Sequence, residues 1–309
     1  MKKWLGFVFG AGLFLIVMSG CSSTETTKDG EGKINVTTTI GQIGDIVENI
    51  GKDHVQVDSL MGPGIDPHLY KASQGDINKL SNADIIFYNG LHLEGKMGEI
   101  FAKMKGEKPT YPVAEAIPEE KLLITQGSSK AVDPHVWFDI DLWKYAVLEV
   151  REGLIEYDPE HKEDYEKNAE EYLEELTKLQ EEAQSKLNEI PEESRVLVTA
   201  HDAFQYFGQA YGMEVKGLQG LSTDSEYGLR DVQNLVNVLA DQNIKAVFIE
   251  SSISERSINA VVEGARKKGH EVEIGGELFS DAMGEKGSPE GTYIGMYQHN
   301  IDTIVEALK

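Results

Sequence analysis

INVTTTIGQIGDIVENIGKDHVQVDSLM, residues 34–61, decides the fold class. Ile34 to Thr39 is a β-branched run suited to a strand, a helix is expected from about Gly41 to Gly51, and a second strand from Val55 to Met61. Strands alternating with helices at this spacing indicate βαβ units and a mainly parallel sheet. The pattern continues outward. Asp76 to Leu80 begins another helical stretch, and Asp84 to Tyr88 is a short apolar strand. Beyond residue 192 the rhythm resumes, with strands at Arg195 to Ala200, Met213 to Leu218, Ala246 to Glu250 and Glu271 to Gly275. Helices fit Leu229 to Gln242, Ser257 to Lys268 and Thr292 to Leu308.

The middle of the chain differs. From Leu142 to about Leu187 it is rich in Glu, Lys, Leu, Ala and Tyr, with a break expected at Asp158-Pro159 and an end near Ile190-Pro191. Tyr165, Tyr172, Leu176, Leu179 and Ala183 form one apolar stripe opposite a face of Glu/Lys pairs. A long helix with one face in solvent explains that pattern. The expected fold is therefore α/β: two lobes, 34–141 and 192–309, each with a small mainly parallel sheet flanked by helices, joined through a helical segment at 142–191.

The first 33 residues read as address and tether. Lys2 and Lys3 precede an apolar run from Trp4 to Met18, followed by Ser19-Gly20-Cys21. The run is shorter than the roughly 20 residues of a membrane-spanning helix, and its charged, apolar, small order is that of an export signal at 1–20. Small residues directly before Cys21 resemble a bacterial lipobox, in which cleavage leaves the cysteine as a lipidated N-terminus. Residues 21–33 are polar and contain glycine, as a flexible tether does. Cys21 is the only cysteine, so no intramolecular disulfide forms. These features place the protein on the outer face of a cytoplasmic membrane. The formal charge of -24, with 53 acidic residues against 29 basic ones, makes nucleic acid an unsuitable partner.

Three of the eight histidines stand at structural transitions. His68 lies in Gly64-Ile65-Asp66-Pro67-His68-Leu69-Tyr70, after the second strand, where open α/β sheets bind ligands. His135 lies in Asp133-Pro134-His135-Val136-Trp137, a second Asp-Pro-His, and His201 directly follows a buried strand. Asp281, in Leu278-Phe279-Ser280-Asp281-Ala282-Met283-Gly284, follows the last strand. Imidazoles joined by a carboxylate suit a first-row divalent metal. Singly, each has a plainer explanation: Asp-Pro-His as a turn, Asp281 as a helix cap. Jointly they fall where a cleft between two lobes converges. His54, His92, His161, His270 and His299 read as surface or packing residues. Glu250, at a strand end, suits either a carboxylate partner for a ligating histidine or a helix-capping acid before Ser251-Ser252.

The lipobox, Gly-Xaa-Asp-Pro-His-Xaa-Tyr, Asp-Pro-His-Val-Trp, Thr-Ala-His-Asp-Ala-Phe, Phe-Ile-Glu-Ser-Ser-Ile and Leu-Phe-Ser-Asp-Ala-Met-Gly together resemble the metal-binding lipoproteins of manganese and zinc ABC transporters, most of all the manganese-binding lipoproteins of Gram-positive bacteria. The resemblance implies a rigid linking helix and a metal between the lobes, held by His68 and His135 from the first and by His201 and Asp281 from the second. It implies Mn²⁺ as cargo, with Zn²⁺ or iron as alternatives, a monomer anchored in the bilayer, and permease and ATPase subunits as partners. Many manganese-binding relatives carry Glu where this chain has His201, which favours zinc. The absence of histidine between Glu115 and Asp133, where zinc-dedicated relatives carry a His-rich loop, favours manganese. Two other classes use the same residues. A metallohydrolase needs an open coordination position and a general base, and a surface adhesin needs only a structural metal.

Overall fold

The computed structural model describes residues 32–124 and 131–309. At its centre is β1 (Ile34–Thr38), parallel to β2 (Val55–Ser59) on one side and to β3 (Ile85–Tyr88) on the other. β4 (Thr110–Pro112) closes the sheet in the order β2-β1-β3-β4, all parallel. Its proline is tolerated because an edge strand has no outer neighbour to receive an N–H. The connection from β1 to β2 is α1 (Gly41–Gly51), at the bounds expected from sequence. α2 (Gln74–Asn82) starts at a capping box formed by Ser73 and Asp76. α3 (Gly98–Lys105) follows β3.

Two helices occupy the middle, α4 (Ile140–Tyr157) and α5 (Lys162–Leu187), packed against each other. The break falls where Asp158-Pro159 forecasts it. Asp158 accepts from the His161 ring at 2.6 Å and from the Tyr165 hydroxyl at 2.7 Å, so the turn is tied to the next helix. The α5 stripe of Tyr165, Tyr172, Leu176, Leu179 and Ala183 is buried along its whole length.

Beyond α5, β5 (Val196–His201) pairs in parallel with β6 (Glu214–Gln219) across α6 (Gln205–Tyr211). After α7 (Leu229–Asp241), β7 (Ala246–Glu250) pairs in parallel with β8 (Glu273–Leu278) across α8 (Arg256–Lys267). α9 (Tyr293–Leu308) returns to pack on α5 and β8. The larger core joins β1–β3, α1, α4, α5 and α9 into one apolar cluster. A smaller one fills the space between β5, β7, α7 and α8. Gly32–Lys309 is one compact unit.

Three short elements, α3, β4 and α6, lack a sequence signal of their own. α6 has only seven residues and turns back so tightly that a Cβ on Gly208 would stand 2.7 Å from the Met213 carbonyl oxygen. The β8 strand runs later than its apolar residues suggest, at 273–278 rather than 271–275, because its register follows β7 and passes a bulge at Val247/Phe248. Among the described residues no helix is long and apolar enough to cross a membrane. The expected export signal, Cys21 and most of the tether lie outside the described residues.

Candidate metal centre

Three of the four chemically distinctive residues follow or end a parallel strand, and the fourth, His135, stands at the start of a 3-10 turn. His68 is in the loop after β2, and His135 directly precedes a 3-10 turn at Val136–Phe138. His201 is the last residue of β5 rather than the first after it, and Asp281 is three residues past β8. All four are buried, at 3%, 0%, 0% and 1% exposure. Successive members are 66 to 80 residues apart in sequence, yet one ligand-type atom from each lies within 4.8 Å of every other.

The three histidines present Nε2 to the Asp281 carboxylate. His68 Nε2 is 3.6 Å from Oδ2, His201 Nε2 is 3.3 Å from Oδ2, and His135 Nε2 is 3.4 Å from Oδ1. His68 and His135 Nε2 are 3.3 Å apart. Bonds of ~2.1 Å to a central ion give a tetrahedron with edges of about 3.4 Å, so these separations match the spacing of donor atoms around one metal. The chemistry agrees. Neither Asp281 oxygen has a hydrogen-bond partner among the described residues, and neither does His201 Nε2. A buried carboxylate left unpaired is costly, and a cation at the common focus would satisfy both oxygens and all three nitrogens.

Electrostatics prepare the group for a cation. Burial pushes the His68 imidazole down to about 4 against the attraction of Asp281, so the ring is neutral at neutral pH. Burial also opposes charge on His201, but the Glu250 and Asp281 carboxylates overcome it and hold that imidazole well above the ordinary histidine range. Burial alone would raise the Asp281 carboxyl; His201, followed by His68 and His135, pulls it well below the usual carboxylate range.

Carboxylates behind the histidines fix their orientation. Glu250, at the end of β7, accepts from the His201 backbone N–H at 2.8 Å and stands 2.6 Å from its Nδ1. It caps no helix, since α8 begins only at Arg256. Asp133 does the same for His135, 3.0 Å from the backbone nitrogen and 2.7 Å from Nδ1. Asp66 accepts from the His68 backbone N–H at 2.9 Å. The Asp-Pro-His turn is thus a real local structure, and it leaves the histidine Nε2 free to face the centre. Sequence reasoning passed over Asp66 and Asp133 as partners, although the repeated tripeptide carried the signal. Asp281 is held through its neighbours. Ser280 O accepts from Trp137 Nε1 at 3.1 Å, and Asn300 bonds both backbone groups of Phe279. No helix begins at Asp281, so it is not a cap.

The other histidines stay away from this centre. His54 and His161 stack on each other with ring centroids 3.9 Å apart and each bonds an aspartate, His270 meets Ile244 O, and His299 meets Glu277 O. His92 is exposed, in a loop with a positive φ of 65°.

The chain is also similar to known proteins. Residues 36–307 match the family described as ZnuA, zinc-uptake complex component A, periplasmic. The manganese-binding lipoprotein MntA of Bacillus subtilis is 59% identical over 292 residues, 94% of this chain and 95% of that protein. The solved structure of the periplasmic zinc-binding protein TroA of Treponema pallidum superposes with a TM-score of 0.87 at 50% identity, covering 90% of this chain and 99% of that one. An Mn-bound periplasmic metal-binding protein of Candidatus Liberibacter asiaticus superposes with a TM-score of 0.78 at 26% identity, over 90% and 100% of the two chains. With nearly all of its described fold matched, the chain belongs to the ZnuA family of periplasmic metal-uptake components.

Proposed function

We propose that His68, His135 and His201, each through Nε2, together with Asp281 hold a divalent manganese ion as cargo for an ABC importer. Family membership makes the chain a solute-binding component of a metal-transport system and not an enzyme. The observation that carries the ligand reading is the buried Asp281 carboxylate, without a hydrogen-bond partner at either oxygen among the described residues and faced by three imidazole nitrogens at 3.3–3.6 Å. Glu250 supports His201 from behind. Residues 34–141 and 192–309 act as the two lobes, with the ion between them and 142–191 as the link. A lipid on Cys21 tethers a monomer to the outer face of the membrane, within reach of the permease that takes the ion and the ATPase that drives it.

Manganese is favoured because both Asp281 oxygens face nitrogen donors, which admits the coordination above four that Mn²⁺ accepts, and because the Bacillus subtilis relative is named for manganese. Zinc is the second reading. Three nitrogens and one carboxylate suit tetrahedral Zn²⁺, and the Treponema pallidum relative is a zinc-binding protein. Zn²⁺ outcompetes Mn²⁺ at nearly any such site, so affinity alone does not identify the cargo. Elemental analysis of protein taken from its native host, grown with both metals available, is expected to find manganese at one ion per chain, with ⁵⁴Mn uptake lost in a deletion strain. Zinc at that stoichiometry with manganese uptake intact would establish the second reading.

A further inference from the structure

The three carboxylates behind the histidines are not equivalent. Asp133 and Glu250 each hold both the backbone N–H and the Nδ1 of their own histidine. Asp66 holds only the backbone N–H of His68, through Oδ1. Its other oxygen, Oδ2, accepts the Thr223 hydroxyl at 2.6 Å, across 157 residues of chain. Among the described residues no carboxylate bonds His68 Nδ1. The seating of His68 is therefore tied to the segment between β6 and α7, which contains Thr223.

A second contact runs alongside. Asp224 meets Lys96 at 2.9 Å, joining the same segment to the loop after β3. Both partners are substantially exposed, so this pair contributes little. The Asp66–Thr223 bond is shorter and half-buried. Within the His68 loop, Gly64 adopts a φ of 70°, and a Cβ there would come 3.5 Å from Ser251 O. The loop thus lies close against the end of β7 at one point and bonds the 219–228 segment at another.

We propose that Asp66 and Thr223 form a latch over the metal centre. The ion at His68 Nε2 seats the 62–70 loop, the seated loop presents Asp66 to Thr223, and the 219–228 segment becomes ordered in consequence. Asp66 and Thr223 are positioning residues: they touch no metal and set how long the ion stays. The inference rests on the metal-centre reading above.

The test uses the mature chain with Mn²⁺ as probe. Release is followed by stopped flow into excess chelator, and backbone hydrogen exchange is followed with and without the ion. In the wild type, Mn²⁺ should slow exchange across 219–228. Thr223→Val, which keeps the shape and removes the hydroxyl, should release Mn²⁺ on the order of tenfold faster, leave association within about twofold, and abolish the protection of 219–228 while metal is bound. Thr223→Ser should restore both. Wild-type release by Thr223→Val, release by Thr223→Ser as fast as by Thr223→Val, or exchange of 219–228 in the wild type that ignores Mn²⁺ would each overturn the latch. The last readout needs no variant to fold. Failure of the wild type to bind Mn²⁺ or Zn²⁺ at all would instead overturn the metal-centre reading, and the latch with it.

Discussion

The same tripeptide, Asp-Pro-His, occurs at 66–68 and 133–135, makes the same turn twice, and is held in opposite ways. Around His135, side chains from several parts of the fold bond one carbonyl after another. Tyr206 donates to Asp133 O, Asn89 to Pro134 O, Tyr293 to Trp137 O and Tyr297 to Phe138 O, at 2.6–3.1 Å. Val136 and Trp137 are fully buried. Around His68 the flanking Ile65 and Leu69 are 38% and 46% exposed, and beyond the Asp66–Thr223 bond the loop is held mainly by Tyr70, whose hydroxyl bonds Leu60 O and Asp76. Local sequence therefore sets the turn, and tertiary packing sets its stiffness. One ligand is built into the core, and the other is delivered by a surface loop.

Losing the group on which both turns converge has the largest effect. Asp281→Ala should weaken Mn²⁺ and Zn²⁺ binding by on the order of a thousandfold or more, because three imidazoles remain without the anion; isothermal titration measures this. A loss below tenfold would mean that Asp281 is not at the ion. Next come the two turn aspartates. Asp133→Ala should cost about 10–100-fold in affinity and, by leaving buried His135 donors unpaired, roughly 1–3 kcal/mol of stability. Asp66→Ala should act mainly on the release rate and leave the metal-free melting temperature nearly unchanged. Equal effects of the two on melting would remove the contrast between the turns.

Smaller effects probe the packing itself. Tyr206→Phe removes the donor to Asp133 O and the acceptor for Leu123 N. It should cost roughly 1–2 kcal/mol in denaturant titration, with the half-buried Tyr70→Phe costing less. A pH-dependent effect lies in the scaffold. Burial raises the Asp45 carboxyl from 3.8 to about 6, although the Tyr172 hydroxyl, 2.7 Å from Oδ2, works against that rise. With the folded value above the unfolded one, the stability gained from the bound proton is fully present below about pH 4. It is lost as pH rises through about 6, for a difference of about 2–3 kcal/mol at most. Asp45→Asn should flatten that pH dependence of the melting temperature between pH 4 and 7; an unaltered slope would assign it to other groups.

Much of this architecture was legible in the sequence because its cause is local. The α1 and β7 bounds, the Asp158-Pro159 break and the α5 stripe follow from periodicity and turn chemistry, and they appear where expected. The His68, His135, His201 and Asp281 set was legible from positions at structural transitions and from family motifs, and the fold brings all four together. What could not be read depends on contacts between distant residues. Asp66 and Thr223 lie 157 residues apart, and Tyr206, Tyr293 and Tyr297 resemble ordinary core tyrosines until their hydroxyls are seen on the His135 strap. β8 shifted because its partner strand, not its own composition, fixes its register.

The most direct test of one shared metal centre is anomalous diffraction at the manganese edge from crystals grown with Mn²⁺. The expected result is one strong peak per chain, about 2.0–2.3 Å from the Nε2 atoms of His68, His135 and His201 and from at least one oxygen of Asp281. A peak that leaves out any of the four, or one bound only to surface carboxylates while these four keep their 3.3–3.6 Å contacts, would contradict it.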